Sequence, residues 1–219
     1  MVLKLYASPV STCSKRVATV LFEKKIPYEL VPIDLTKFEQ KTPEFLEKQP
    51  FGVVPYLDDD GYIIYESRAI CRYLEAKYPN QGPTLIPTDL KALGHFEQAA
   101  SIEYSNFDPF ASGVVSERVF KPRKGLGPTD EAKVSALLQT LNTKLDAYDK
   151  ILSKQKYLAG DEITLADLFH LPYGTMLTAT GCDFLTSKSK PNVARWWADI
   201  TARASWQAVK NAVPASLSA

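Results

Sequence analysis

Val2-Leu3-Lys4-Leu5-Tyr6, apolar or aromatic at every position but Lys4, reads as a short buried strand. From Cys13 to Lys25 the period changes, with Cys13, Val17, Val20 and Leu21 at helical spacing. Tyr28-Glu29-Leu30-Val31-Pro32-Ile33 then reads as a second strand. A strand–helix–strand order predicts that these two strands lie parallel. Residues 35–48 are polar and irregular, with one short helix expected over Pro43–Glu47. Val53–Leu57 and Tyr62–Tyr65 are β-branched and aromatic runs around Asp59-Asp60-Gly61, which supplies the left-handed backbone of a tight hairpin. After Glu66-Ser67 the helical period returns through Ile70, Tyr73, Leu74 and Lys77.

The next ten residues, Tyr78–Pro87, contain three prolines and one glycine and read as a linker. Beyond it no strand–turn alternation recurs. Leu90–Phe107 and Asp130–Leu152 are long amphipathic segments, with breaks at Asp108-Pro109, Lys121–Pro128 and Ser187–Pro191. Thr164 and Asp167 fit a capping box, and Ile163 and Leu168 fit its hydrophobic staple. This motif starts a buried helix and carries no chemistry. The expected organisation is an α/β domain over residues 1–78 in βαβ-α-ββα order, a linker over 79–88, and an all-helical domain over 89–219.

Composition narrows the class. Lys plus Arg total 26 against 25 acidic residues, a formal charge of +1, which argues against nucleic acid as a partner. No apolar run reaches the ~18 residues that a membrane helix needs. Cys13, Cys71 and Cys182 show no metal-like spacing and cannot all pair within one chain, so no metal and a reducing, cytoplasmic setting are expected.

Chemistry concentrates between Gln49 and Arg68. Pro55 cannot donate to a strand ladder and must sit at a strand start, an edge or a bulge. A cis Val54-Pro55 bond would turn the Val54 backbone outward, ready to pair with an extended peptide. Ser67 opens a helix, and helix N-termini hold carboxylates well. One site could therefore read a peptide backbone at Val54 and a carboxylate at Ser67.

The order Val-Pro, hairpin, Glu-Ser-Arg resembles the glutathione-binding half of the glutathione transferases. That half has a thioredoxin-like fold. Pro-Phe-Gly-x-Val-Pro (50–55), Glu-Ser-Arg-Ala-Ile (66–70), Val-Phe-Lys-Pro (119–122), Tyr-Leu-Ala-Gly-Asp (157–161) and Trp-Ala-Asp-Ile-Thr-Ala-Arg (197–203) are most similar to the phi class. The resemblance covers nearly the whole chain. It implies a cis proline at Pro55, Val54 on the cysteinyl backbone of glutathione, and Glu66, Ser67 and Arg68 at its γ-glutamyl end. It further implies Lys41 and Gln40 at the glycine carboxylate, with Val53 beside Val54.

Glutathione chemistry needs the thiolate. A hydroxyl donor at a helix N-terminus stabilises that anion by a hydrogen bond and by the helix field. Ser11 sits between the first strand and the first helix, and the resemblance gives the matching serine this role. Thr12 is the weaker backup, and Ser8 and Ser14 are competitors. Cys13 reads as a buried structural thiol. The rival reading, a thiol–disulfide reductase, rests on classes that carry a cysteine in this loop. The sequence departs from the phi pattern at Gln40, where many members carry histidine, at Val53, where many carry glutamine, and at Phe38, where the residue is often small.

Further expectations follow from the resemblance. They are a homodimer, an apolar electrophile pocket formed between the domains by Val10, Leu35, Phe38, Phe107, Phe110 and Phe120, and a peroxidase side activity. A carrier role for aromatic compounds is the alternative to catalysis. Phe51 either inserts into a partner subunit or is buried in its own domain.

Overall fold

A computed structural model describes residues 2–217 of the 219-residue chain. The expected first strand forms as β1 (Leu3–Ala7) and runs through Ala7; it buries Leu3, Leu5 and Ala7 and turns Lys4 outward. Helix α1 (Thr12–Glu23) follows, then β2 (Tyr28–Pro32), which pairs parallel to β1 from Leu3↔Tyr28 to Ala7↔Pro32. Two single 3₁₀ turns (Leu35–Lys37 and Glu39–Lys41) and helix α2 (Pro43–Lys48) lead to the hairpin. The hairpin pairs β3 (Tyr56–Asp59) with β4 (Tyr62–Tyr65) across Asp60 (φ 54°) and Gly61 (φ 88°). Two left-handed residues in succession match the right-handed twist of the flanking strands.

Helix α3 (Ser67–Lys77) closes the predicted βαβ-α-ββα order. It packs on α1, and its Ile70, Cys71 and Leu74 are fully buried. The Asp59 carboxylate accepts from the Tyr73 hydroxyl and the Lys77 ammonium, which pins the hairpin to this helix.

One strand starts later than expected. Residues 53–55 lie outside the ladder, and β3 begins at Tyr56. The Val54-Pro55 bond is cis, and Pro55 has no N–H to give a neighbouring strand.

The chain divides into two compact units, one running up to Leu85 and resuming at Arg203, the other spanning Ile86–Ala202. The boundary after Leu85 falls within the expected linker, 79–88, but the segment from Arg203, expected in the helical domain, belongs with the first unit because it returns to the sheet. Helix α11 (Ala204–Val209) packs on α1, and the buried Glu23 carboxylate accepts from Arg203 Nη2 (2.7 Å) and Ser205 Oγ (2.5 Å). A two-residue strand β5 (Ser216–Leu217) pairs with β2 and completes a sheet of order β4-β3-β1-β2-β5. Lys24, fully buried, ties α1 to α3 and the linker through Glu75 Oε2 (2.6 Å) and the Pro83 carbonyl (3.1 Å).

The second unit is helical: α4 (Leu90–Asn106), α5 (Asp108–Val115), a π turn (Ser116–Phe120), α6 (Lys121–Arg123), α7 (Glu131–Leu152), α8 (Leu165–Leu168), α9 (Leu171–Ala179) and α10 (Pro191–Thr201). Its buried centre is Asp167. One carboxylate oxygen accepts from the Thr164 backbone N–H (2.9 Å) and hydroxyl (3.0 Å), closing the predicted capping box. The other accepts from Leu158 N–H (3.0 Å) and Trp196 Nε1 (2.9 Å). Burial pushes this carboxyl above the ordinary range, while the four donors pull it back. Asp167 therefore joins three segments rather than capping one. Each buried donor left unsatisfied costs ~1–3 kcal/mol, against ~1 kcal/mol for a simple cap. Asp167→Ala is expected to lower unfolding stability by roughly 3 kcal/mol or more, read from urea denaturation; a loss near 1 kcal/mol would reduce it to a cap.

Candidate active site

Strand register decides what meets at one end of the sheet. Tyr6, next to the last residue of β1, pairs with Tyr56, the first of β3, and Tyr56 pairs with Tyr65, the last of β4. The Tyr6 and Tyr56 rings stack at 4.4 Å. Parallel pairing places Pro32, the last residue of β2, beside Ala7. The loop Ser8–Ser11, the 33–41 segment, Val54-Pro55 and Glu66-Ser67 therefore all leave the sheet at the same edge. Val54 is buried in a small cluster with Phe45 and Tyr56, which Tyr6, Ile33, Leu35, Ile63 and Tyr65 cover.

Ser11 is the N-cap of α1, and its Oγ accepts from Ser14 N–H at 3.4 Å, a long contact. The hydroxyl proton is not used in that bond and is available to a ligand. Ser8, Thr12 and Ser14 are buried, whereas Ser11 is partly exposed. Cys13 is also partly exposed, which corrects the reading of a buried thiol, and Arg16 Nη1 lies 3.7 Å from its sulfur. Cys71 and Cys182 are the buried thiols, and desolvation pushes Cys71 up to about 12.

Ser67 is buried at the first position of α3 and accepts from Arg16 Nη1 at 2.9 Å. Glu66 precedes it with φ 68°, ψ 109°, an uncommon conformation for a residue with a side chain. Such strain costs ~1–3 kcal/mol and recurs where a loop presents groups to a ligand. Arg68 is half-buried on the same helix.

Gln40 and Lys41 close on the 50–53 loop. Lys41 Nζ donates to the Phe51 carbonyl at 3.2 Å. Gly52 has φ 61°, and a Cβ there would lie 2.9 Å from the Gln40 carbonyl oxygen and 2.7 Å from Lys41 Nζ. Only glycine fits this approach. Val53 is exposed, and so is Phe51 at 65%, its ring edge on Tyr65. Burial of Phe51 in its own unit is thus overturned.

Of the residues expected to form an apolar pocket, Val10 and Leu35 are brought together. With Ser8, Pro9, Pro32 and Ile33 they line a largely apolar cavity of about 460 Å³, with Asp34, Thr36 and Glu39 at its polar side. Phe38 is exposed. Phe110 and Phe120 are half-buried in the helical unit. Phe107 is corrected: it is fully buried there, its ring 4.6 Å from His170 and 6.5 Å from Tyr148, and so belongs to the core. The same helical spacing marks core and ligand wall, which is why sequence did not separate them. Arg16 was missed for a related reason: an arginine inside a helix reads as a solvated charge.

Comparisons with known proteins agree with this geometry. Residues 5–83 match the family model for the glutathione S-transferase N-terminal domain, and residues 107–204 that for the C-terminal domain. The chain is 54% identical to glutathione S-transferase PM239X14 of Arabidopsis thaliana, over 89% of each chain. It is 50% identical to glutathione S-transferase hmp2 of Hypomyces subiculosus, over 94% of this chain and 96% of the other. Glutathione transferase F7 from Populus trichocarpa superposes with a TM-score of 0.91 at 38% identity, over 95% of this chain and 97% of that one.

Two glycines with left-handed backbone separate strain from close approach. Gly61→Ala has open space around its Cβ and is expected to lose roughly 1–2 kcal/mol from φ alone. Gly52→Ala is expected to lose more stability in thermal unfolding and to weaken glutathione binding by calorimetry; equal losses would remove the argument from Gln40 and Lys41. Register, the two helix starts and the matches at both ends of the chain converge: this chain belongs to the glutathione S-transferase family, on its phi-class branch.

Proposed function

We propose that the chain binds glutathione at this edge of the sheet and ionises its thiol beside Ser11. It then adds the thiolate to an apolar electrophile. The observation that carries the reading is the row Tyr6–Tyr56–Tyr65, which brings two helix N-termini and the Val54 backbone to one edge. Both helices present unpaired N–H groups and partial positive charge. One end suits a thiolate and the other the γ-glutamyl carboxylate.

In this reading Ser67, with Glu66 and Arg68, holds the γ-glutamyl end. Val54 pairs with the cysteinyl backbone. Lys41, steadied by the Phe51 carbonyl, faces the glycine carboxylate with Gln40 and Val53 beside it. The Ser11 hydroxyl donates to the sulfur, and Thr12 is too buried to replace it. A free thiol titrates near ~8.5, and each unit of depression needs about 1.4 kcal/mol of preferential stabilisation of the anion. For an aromatic halide, the thiolate adds to the ring carbon and the halide departs. The groove walled by Val10 and Leu35 suits flat, apolar acceptors. A solved relative, glutathione S-transferase I from maize, was captured with an atrazine–glutathione conjugate, at 33% identity and a TM-score of 0.87 over 96% of this chain and 97% of that one. Hydroperoxide reduction uses the same thiolate. Exposed Phe51 supports a homodimer in which this ring enters the partner, and three free thiols fit a cytoplasmic setting.

A second reading rests on Cys13, partly exposed in the first turn of α1 with the Arg16 guanidinium nearby. Conjugation of glutathione to 1-chloro-2,4-dinitrobenzene distinguishes the two. Ser11→Ala is expected to lower kcat by about 10²-fold, the scale for losing one donor to a developing anion, with Cys13→Ser nearly silent. The reverse pattern in a disulfide-exchange assay would install the reductase. Ligand binding without turnover in the wild type would favour the carrier.

A further inference from the structure

Among the side chains that the roles above leave unused, Arg16 stands out. It lies on α1, five residues after Ser11, and is 1% exposed. Its Nη1 donates to Ser67 Oγ at 2.9 Å, a buried bond between residues 51 apart in sequence. The same nitrogen approaches Cys13 Sγ at 3.7 Å, and the Arg16 carbonyl accepts from Cys71 Sγ at 3.8 Å. The residue therefore spans from α1 to the first turn of α3.

Hydrogen-bond polarity gives this contact a direction. A guanidinium can only donate, so Ser67 Oγ must be the acceptor. The single Ser67 proton is then committed away from Arg16. Ser67 is the first residue of α3, where backbone N–H groups already point outward toward an anion. A hydroxyl that accepts from a cation also becomes a better donor, because charge-assisted bonds polarise the next one in a chain.

We infer that Arg16 is a positioning residue for glutathione binding: it holds the Ser67 hydroxyl as a donor toward the γ-glutamyl carboxylate. The inference rests on the reading that Ser67 meets that carboxylate. It adds a buried group that acts through Ser67. Because Arg16 is carried by the helix that Ser11 caps, the carboxylate end of the site is registered against the thiol end.

Calorimetry with two S-methylated ligands tests this, since methylation removes thiol ionisation from the reading. One is S-methylglutathione; the other is S-methylated 4-aminobutyryl-cysteinylglycine, which lacks only the γ-glutamyl α-carboxylate. Wild type is expected to prefer the first by at least about tenfold, the scale of one charge-assisted hydrogen bond. Arg16→Met is expected to erase most of that preference by weakening the carboxylate ligand while leaving the other within about twofold. Ser67→Ala should do the same, and the double variant should be no worse than either single one.

Equal weakening of both ligands by Arg16→Met, or additive losses in the double variant, would overturn the inference and leave the Ser67 reading intact. A wild type indifferent to the carboxylate would overturn both. If Arg16→Met fails to fold, Arg16→Lys and Arg16→Gln decide. The lysine, also donor-only, should keep the preference, while the glutamine amide, which offers both polarities, should lose it. Equal preferences in the two would overturn the assignment.

Discussion

The structure depends on one constraint: the register that pairs Tyr6 with Tyr56 and Tyr56 with Tyr65. A one-residue slip would turn every side chain on the slipped strand to the opposite face. It would also move Val54 and Glu66 along the sheet relative to Ser11. Packing opposes any slip. The Tyr6–Tyr56 stack, the Phe45 edge on Tyr56 and the burial of Leu57 all hold on one register. At the far end, the Asp60-Gly61 turn fixes the hairpin from its tip. The site is thus a consequence of how the sheet closes.

Electrostatics builds on that frame. α1 and α3 pack together and begin at the same edge, so their N-termini add positive potential there. The Arg16–Ser67 bond lies buried between them, where low dielectric strengthens it. Strain at Glu66 and close approach at Gly52 are local costs that the surrounding packing tolerates. The C-terminal segment contributes from outside: Arg203 and Ser205 hold Glu23 at the end of α1, and Val213 N–H bonds the Pro9 carbonyl beside the Ser11 loop at 2.9 Å.

Much of this was legible in the sequence. The apolar run Val2–Tyr6, the Asp-Gly turn and the period from Ile70 to Lys77 are local signals, and a strand, a hairpin turn and a helix formed there. The thioredoxin-like order and the helical second half follow from them, and the family from the motifs between Pro50 and Ile70. What was not legible was non-local. Nothing in the short run Ala204–Val209 says that it packs on α1, 180 residues earlier, and a two-residue strand at Ser216–Leu217 has no period to detect. Phe107 and Phe110 sit on either side of the Asp108-Pro109 break, yet only the first is fully enclosed, and no local signal separates them. The Arg16–Ser67 pair depends on two helices meeting, which no spacing encodes.

The central claim is that this edge stabilises a thiolate. The direct measurement is the ultraviolet absorbance of the thiolate in the glutathione complex as pH is varied. The account predicts a midpoint at least one unit below the free value of roughly 8.5, equivalent to about 1.4 kcal/mol or more, and a return toward the free value in Ser11→Ala. A midpoint at the free value in the wild-type complex would contradict it.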